Sequence, residues 1–234
     1  MRASTRLKLG YLAAAALDTW LSGSSLRAAR AARFVTKPAL MPLLASSFAT
    51  SGRATGSPLR TTTLIGQAVG WGGDIALLGH GTRSFAVGAG TFGVGHAAYI
   101  SGFVRQRSAA PFFASSSTRT AVGLWAVAGP AMALAAARQE RALGPAVLGY
   151  TGLLAGTFAT ACHLDSSLPA SSRRLTGLGA GLFLLSDTVL GVRQFLLPLL
   201  PFGPPPGLDA ALERIVMGSY TAAQLLLAEG ATRA

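Results

Sequence analysis

Eight apolar segments follow one another along this chain, and most of its basic residues lie between them. Several segments approach the roughly 20 residues that a helix needs to cross the hydrocarbon core of a bilayer. We therefore expect an all-α polytopic membrane bundle of eight transmembrane helices, folded as one domain over residues 1–234. The predicted spans are residues 9–21, 34–50, 61–78, 84–104, 120–137, 142–162, 175–197 and 208–228.

The composition favours a membrane protein over a soluble one. Charged residues make up 12% of the chain and hydrophobic residues 50%, whereas ordinary soluble domains carry roughly 25% charged residues. The net charge of +12 comes from basic residues that flank apolar segments, a placement typical of cations beside lipid head groups. It is not the single basic patch of a nucleic-acid-binding face. We expect membrane lipids as partners, and no nucleic acid.

The first apolar segment follows Arg2, Arg6 and Lys8, an order that superficially resembles a signal peptide. No small-residue cleavage site stands out and further apolar segments follow, so we interpret it as the first membrane helix. Eight spans would place both termini on one side of the membrane. A small majority of the 20 Lys and Arg residues falls in loops on that side, and the positive-inside rule then predicts cytoplasmic termini in the plasma membrane.

Proline and glycine predict where the helices end and where they pack. Five prolines and two glycines between Pro198 and Gly207 cannot continue a helix and predict a turn before the last span. We expect Pro38 and Pro42 to lie near the start of the second helix, where a missing amide donor is tolerated. Small residues four apart allow helices to approach closely in lipid, as in the pairs Gly66/Gly70, Gly152/Gly156 and Gly177/Gly181.

Metal and disulfide chemistry find little support in the sequence. The single cysteine, Cys162, forms no intrachain disulfide and leaves no cysteine-based metal site. His163 and Asp165 follow the sixth segment, and we interpret them as part of a solvated loop. His80 follows the third span and is expected at the membrane interface. We expect no metal and no cofactor.

Two aspartates lie inside apolar segments. Asp74 occurs in Gly-Trp-Gly-Gly-Asp-Ile-Ala-Leu-Leu and Asp187 in Leu-Phe-Leu-Leu-Ser-Asp-Thr-Val-Leu. A charged side chain at the centre of a bilayer costs about 2.5–3.5 kcal/mol or more, so an intramembrane acid indicates a functional site with a partner. We expect each of these two to be the other's partner. For Asp18 we expect capping or pairing with a loop arginine near the membrane interface, the alternative being membership of the same polar core.

Other polar residues recur at helical spacing. The fourth span places Gly88, Phe92, His96 and Tyr99 on one face, and the eighth carries Tyr220 and Gln224 four apart. Buried without partners, each polar group would lose roughly 1–3 kcal/mol. We expect them to face the bundle interior or a cavity, the alternative being hydrogen bonding between helices without chemistry. Lys37 either joins them or extends to the interface.

A short echo links the two acidic segments. Asp74-Ile-Ala-Leu77 resembles Asp187-Thr-Val-Leu190, and the third and seventh helices of an alternating bundle run in the same direction. Both observations would suit a four-plus-four pseudo-repeat, although the echo is too short to establish one.

Taken together, these motifs resemble the YhhN family, which includes the lysoplasmalogenases. The resemblance covers roughly residues 10–230 and depends on the order of the motifs on successive spans. The motifs are Lys37-Pro38, Gly73-Asp74-x-x-Leu77-Leu78, Phe85-x6-Phe92-x3-His96-x2-Tyr99, Gly179-Ala180-x-Leu182-Phe183-x2-Ser186-Asp187 and Tyr220-x3-Gln224.

The resemblance implies an eight-helix membrane hydrolase that cleaves the vinyl-ether bond of a 1-alkenyl lysophospholipid with water. It implies that Asp74 and Asp187 are the catalytic acids. The chemistry suits two carboxyl groups, one to protonate carbon and one to stabilise the oxocarbenium ion and accept a proton from water. We expect substrate contacts from Lys37, His96, Tyr99, Tyr220 and Gln224. The alternatives are a lipid-binding or transport protein with a proton or cation site at the aspartates, and a structural protein.

Overall fold

The structure, a computed structural model, describes residues 2–79 and 81–234, and across these residues the chain forms eight α-helices and no β-strand. The prediction of an all-α fold with eight helices is therefore confirmed. His80 lies outside the described residues. The helices are α1 (Ala3–Ser22), α2 (Arg27–Ala49), α3 (Arg60–Ala76), α4 (Gly81–Arg105), α5 (Ser116–Gln139), α6 (Leu143–Ala161), α7 (Ala170–Gly191) and α8 (Leu208–Thr232).

Several helices begin earlier than the apolar segments do. The first two turns of α2 contain Arg27, Arg30 and Arg33, which lie between the first two predicted spans. Arg and Lys are good helix formers, so a basic stretch next to an apolar run extends the helix instead of ending it. Hydropathy marks where the apolar part of a helix begins, and this chain starts its helices before that point.

The two prolines of α2 lie inside the helix, so the expectation that they mark its start is wrong. Pro42 has no N–H to donate to the carbonyl of Pro38, one turn earlier. The indole Nε1 of Trp71 in α3 donates to that carbonyl instead, at 2.8 Å. A backbone acceptor left free in one helix is thereby satisfied by a side chain of its neighbour.

The helices form four hairpins that close into a ring. The hairpins pair α1 with α2, α3 with α4, α5 with α6, and α7 with α8. Contacts of α2 with α3, α4 with α6, α6 with α7, and α1 with α8 complete the ring, while α8 also contacts α2 and α3. Helix α5 lies outside the ring, packed on α6 and on a π-helical turn, Val192–Leu196, that continues α7.

Close helix approaches occur at only some of the predicted glycines. A Cβ at Gly95 of α4 would lie 3.2 Å from the carbonyl oxygen of Gly66, so the Gly66/Gly70 face of α3 touches the α4 backbone. A Cβ at Gly179 of α7 would lie 2.9 Å from the Leu227 amide nitrogen of α8. Gly152, Gly156, Gly177 and Gly181 meet side chains at ordinary distances of 3.4–3.5 Å.

The segment before α8 is a turn, as its prolines predict. Pro198 lies in a short 3-10 turn, Leu197–Leu199, and residues 200–207 are not helical. Gly203 and Gly207 have φ of 70° and 80°, a conformation that glycine adopts without the steric cost that other residues meet. Gly207 is the residue immediately before α8.

Two helices in the described part of the chain are long and apolar enough to cross a membrane, Ser116–Gln139 and the continuous stretch Ala170–Leu199. Each has a mean hydropathy of 1.6 in its most apolar window, and only 28% of that window is buried. The core helix of a soluble protein would be mostly buried, whereas these two expose apolar surface. Helix α3, with 17 residues, lies at the short end of the length range of a membrane span.

Candidate functional site

A cavity of about 690 Å³ lies among α3, α4, α5, α6, α7 and α8, with one residue contributed by α2. Its walls are mainly aliphatic and aromatic side chains. Lys37, Asp74, Asp187 and Tyr220, all predicted site residues, contribute to its lining. The carboxyl groups of the third and seventh helices therefore face the same space.

Asp74 is held by a hydroxyl group and a cation. Its side chain is almost fully buried, the Tyr220 hydroxyl donates to its Oδ2 at 2.7 Å, and the Lys37 Nζ lies 3.9 Å from its Oδ1. Lys37 is itself only 6% exposed. Its ammonium group therefore faces the cavity, and the alternative in which it extends to the membrane interface is wrong.

Asp187 has a similar pair of neighbours. The hydroxyl of Tyr150 in α6 donates to its Oδ2, and Nε2 of His96 in α4 lies 4.0 Å from the same oxygen. Sequence reasoning did not single out Tyr150, because it lies inside an apolar segment with no polar residue three or four positions away. Its hydroxyl group in that segment was the one available signal.

The hydrogen bonds around His96 assign its tautomer. The Thr157 hydroxyl donates to the Leu153 carbonyl at 2.9 Å, so toward the His96 Nδ1, 3.0 Å away, it acts as the acceptor. The ring proton is thereby assigned to Nδ1. In the neutral ring Nε2 then carries the lone pair, and this atom is fully buried with no hydrogen-bond partner among the described residues. It faces Asp187.

Tyr99 and Gln224 lie behind the cavity lining, not in it. The Tyr99 hydroxyl donates to the Gln224 Oε1 at 2.9 Å, a hydrogen bond between α4 and α8. Gln67 of α3 is fully buried, and neither of its amide atoms has a partner in residues 2–79 and 81–234. Sequence reasoning missed Gln67, which lies two helical turns before Asp74.

Helical spacing explains how these side chains converge. Gly88, Phe92, His96 and Tyr99 are all buried, which confirms the shared face predicted for α4. In α3, Gly66, Gly70 and Asp74 share a buried face in the same way. A side chain at Gly66 would collide with the Tyr99 ring, so the glycines of α3 provide the room in which the large side chains of α4 lie.

Asp18 belongs to a separate ionic network. It is fully buried, accepts a hydrogen bond from the Thr36 Oγ1 at 2.6 Å, and has the Arg33 Nε at 3.4 Å. Arg33 also donates to Glu213 at 3.0 Å, and Arg193 binds the same glutamate. Asp18 pairs with an arginine as predicted, but Arg33 belongs to α2 and not to a loop. This network joins α1, α2 and α8 outside the cavity lining.

The His163 and Asp165 side chains hold the loop after α6. His163 Nε2 lies 3.0 Å from the Ala110 carbonyl oxygen, and Asp165 accepts the Ser167 backbone N–H at 2.9 Å. That hydrogen bond holds the pKa of Asp165 below its usual value. No group of three or more possible His, Cys, Asp or Glu metal ligands occurs within the described residues.

Fold and site together define a class of protein. It is an all-helical protein with two membrane-capable helices and a mostly apolar cavity that holds two carboxyl groups. The model of the YhhN family matches residues 32–231, most of the chain, and the chain belongs to that family. Comparisons with curated proteins and with solved structures gave no match. Family membership and the two apolar helices together indicate a membrane protein.

Proposed function

We propose that this protein is a membrane hydrolase that cleaves the vinyl-ether bond of lysoplasmalogens to a fatty aldehyde and a glycerophospho-alcohol. The observation that carries the proposal is the pair of carboxyl groups in one mostly apolar cavity, each bound by a tyrosine hydroxyl and each beside a basic side chain. Membership of the YhhN family is consistent with this reaction.

The proposal includes eight membrane spans, with both termini on the cytoplasmic side of the plasma membrane. Large apolar side chains are exposed on every helix except α6, for example Trp20 on α1, Val35 on α2, Val127 on α5 and Leu178 on α7, at 61–76% exposure. Soluble monomers rarely expose apolar surface on this scale. In a bilayer the same side chains would be solvated by lipid.

The unequal partners of the two acids suggest their roles. Asp74 lies beside the Lys37 ammonium, which balances the charge of a carboxylate. Asp187 lies beside the Nε2 lone pair of a neutral His96. A lone pair facing a carboxylate would be repelled, whereas a carboxylic acid suits that neighbour. Asp187 is accordingly the acid, and Asp74 the carboxylate.

The reaction then balances without any other group. Asp187 transfers its proton to the β-carbon of the vinyl ether, and an oxocarbenium ion forms beside the Asp74 carboxylate. Water adds to the cationic carbon and passes a proton to Asp74. As the hemiacetal collapses, Asp74 returns that proton to the departing ether oxygen, and the hemiacetal hydroxyl reprotonates Asp187. The aldehyde and the alcohol leave, and both acids regain their starting states.

The test uses the purified protein in lipid nanodiscs with a 1-alkenyl lysophospholipid. In D₂O, carbon protonation places one deuterium on the carbon next to the aldehyde, which is trapped at once and measured by mass spectrometry. Asp74→Asn and Asp187→Asn should each lower aldehyde release by about 10²–10⁴-fold, the usual contribution of general acid–base catalysis. Asp165→Asn, in the loop after α6, is the matched control and should retain activity.

Two results would overturn the proposal. One is the absence of aldehyde release from a folded wild-type protein, and the other is unimpaired turnover by either aspartate variant. The rival function, lipid binding or transport, predicts lysolipid movement across proteoliposomes without its consumption. Parallel measurements of substrate loss and of transbilayer movement separate the two functions.

A further inference from the structure

One wall of the cavity is incomplete. Helices α4 and α5 both contribute to the lining, yet across residues 2–79 and 81–234 they make hardly any contact with each other. Each packs on α6 instead. The cavity therefore opens sideways between α4 and α5, and α6 forms the floor of that opening.

The opening is apolar and exposed. Val94 of α4 is 58% exposed, and Leu124 and Trp125 of α5 are 54% and 36% exposed, although all three line the cavity. On the floor, Ala146 and Gly149 of α6 are exposed small residues. We call this opening the lateral groove. Large apolar side chains of α4 and α5 form its two sides, and small residues of α6 form the surface between them.

The last and first helices, α8 and α1, pack against each other and leave no such opening between them. If the chain is a four-plus-four repeat, the seam of α4 with α5 corresponds to the seam of α8 with α1. Helix α1 packs on α8 and is pinned there by the ion pair of Lys8 with Glu229. In that case the contact made between α8 and α1 has no comparable counterpart between α4 and α5 in the described part of the chain.

The groove leads directly to the acids. Gly149 on its floor precedes Tyr150, whose hydroxyl binds Asp187. Lys37 also lines the cavity, from α2, whose main contacts are with α1, α3 and α8. A vinyl ether joins a hydrocarbon chain to a glycerophosphate head, so a substrate reacting at the acids needs an apolar path on one side and room for an anionic head on the other.

We propose that the lateral groove holds the single hydrocarbon chain of the lysolipid, which enters sideways from the bilayer between α4 and α5. This inference rests on the proposed function for the direction in which the substrate lies. Apolar association in lipid has no hydrophobic driving force. A groove continuous with the bilayer therefore lets the chain slide in and out without extraction into water.

Three helical glycines provide the test and its control. Gly90 on α4, Gly149 on α6 and Gly123 on α5 each have open space where a Cβ would stand. Gly90 and Gly149 line the groove, whereas Gly123 does not. Replacing a helical glycine raises helix propensity, so Gly149→Trp, Gly90→Leu and the control Gly123→Trp should all fold.

With a hexadecenyl lysolipid, Gly149→Trp and Gly90→Leu should lower kcat/KM by about tenfold or more, within the range that pocket shape gives. A butenyl analogue, too short to reach the groove, should be cleaved at the wild-type rate. Gly123→Trp should cleave both as the wild type does. Equal losses on the two substrates, or no loss on the long one, would overturn the inference.

A second measurement does not depend on turnover. Trp125 borders the groove, so a lysolipid brominated along its chain should quench the fluorescence of wild-type protein more than that of Trp125→Phe. This difference should saturate and should disappear in Gly90→Leu, which blocks the groove without adding a fluorophore. Saturable quenching without aldehyde release would support lipid binding in the groove and overturn the proposed hydrolase activity. Normal long-chain turnover in Gly149→Trp, together with no saturable quenching of Trp125 in the wild type, would overturn the groove inference. The proposed hydrolase activity would stand.

Discussion

The two acids of the cavity have the same kinds of neighbour arranged in the opposite way. Asp74 receives a tyrosine from α8 and a basic residue from α2, whereas Asp187 receives a tyrosine from α6 and a basic residue from α4. Lys37 and Tyr150 are separated by the same number of residues as Asp74 and Asp187. At this spacing the first half of the chain carries a lysine and the second half a tyrosine.

The comparison teaches that two acids with similar kinds of neighbour become unequal when the basic side chain is a lysine at one and a histidine at the other. A lysine side chain stands beside Asp74, while the neighbour of Asp187 is an imidazole, a group that is ordinarily mostly uncharged at neutral pH. Like carboxyl groups in unlike surroundings are the usual route to one acid and one base at a single site. Four predictions test this difference.

The largest effect concerns the roles of the acids themselves. Both Asp→Asn variants should lower aldehyde release by about 10²–10⁴-fold. The larger loss is expected for Asp187→Asn, which removes the first proton transfer. Asp74→Asn should slow the addition of water and so reduce the solvent deuterium isotope effect on aldehyde release. An unchanged isotope effect in Asp74→Asn would reverse the assignment of acid and carboxylate.

Removing the cation should destabilise the first site. Lys37→Met leaves a buried carboxylate without its partner, which costs about 3–5 kcal/mol in the free energy of unfolding. The double variant Lys37→Met/Asp74→Asn should recover most of that loss. Lys8→Met breaks a partly exposed ion pair with Glu229 and should cost only about 0–1 kcal/mol. Reversible unfolding in mixed micelles provides the measurement, and equal stability of the single and double variants would contradict the ion pair.

The hydrogen bonds that the two tyrosines donate to the acids should differ in strength. A hydrogen bond to a charged acceptor contributes about 1.5–3 kcal/mol and one to a neutral acceptor about 0.5–1.5 kcal/mol. Tyr220→Phe, which removes a bond to the Asp74 carboxylate, should therefore destabilise the protein more than Tyr150→Phe. The same unfolding assay measures both variants. A larger loss for Tyr150→Phe would indicate that Asp187 is the ionised acid.

The smallest effect concerns the tautomer of His96. Thr157→Val removes the acceptor for Nδ1–H and should cost about 1 kcal/mol, with a matching several-fold loss of kcat. Thr157→Ser retains the hydroxyl group and should behave as the wild type does. Nitrogen-15 shifts of labelled histidine should show the proton on Nδ1 in the wild type and a mixture of tautomers in Thr157→Val. A proton on Nε2 of the wild type would contradict the assignment.

The sequence predicted the helices well, because apolar runs and proline clusters act locally. It also singled out Asp74 and Asp187, since an acid in an apolar run is conspicuous. It missed Tyr150 and Gln67, because hydroxyl and amide groups are common in helices and spacing within one helix does not show which helices become neighbours.

Local rules also misplaced some features for physical reasons. Pro38 and Pro42 belong to the interior of α2 because a side chain of another helix satisfies the carbonyl that Pro42 leaves free, and no local pattern predicts that partner. Asp18 was expected near the interface, yet it is fully buried, because Thr36 and Arg33 reach it from α2.

The indole of Trp71 on the Pro38 carbonyl has a mechanical consequence. It joins α2 to α3 at one point, and the contact of Lys37 with Asp74 joins them at a second point within a turn. One point of attachment would let α2 roll about its own axis, whereas two resist torque. A rotation of α2 that carried Lys37 away from the cavity would have to break both attachments, so the carbonyl left free by Pro42 helps to hold α2 with Lys37 facing the cavity.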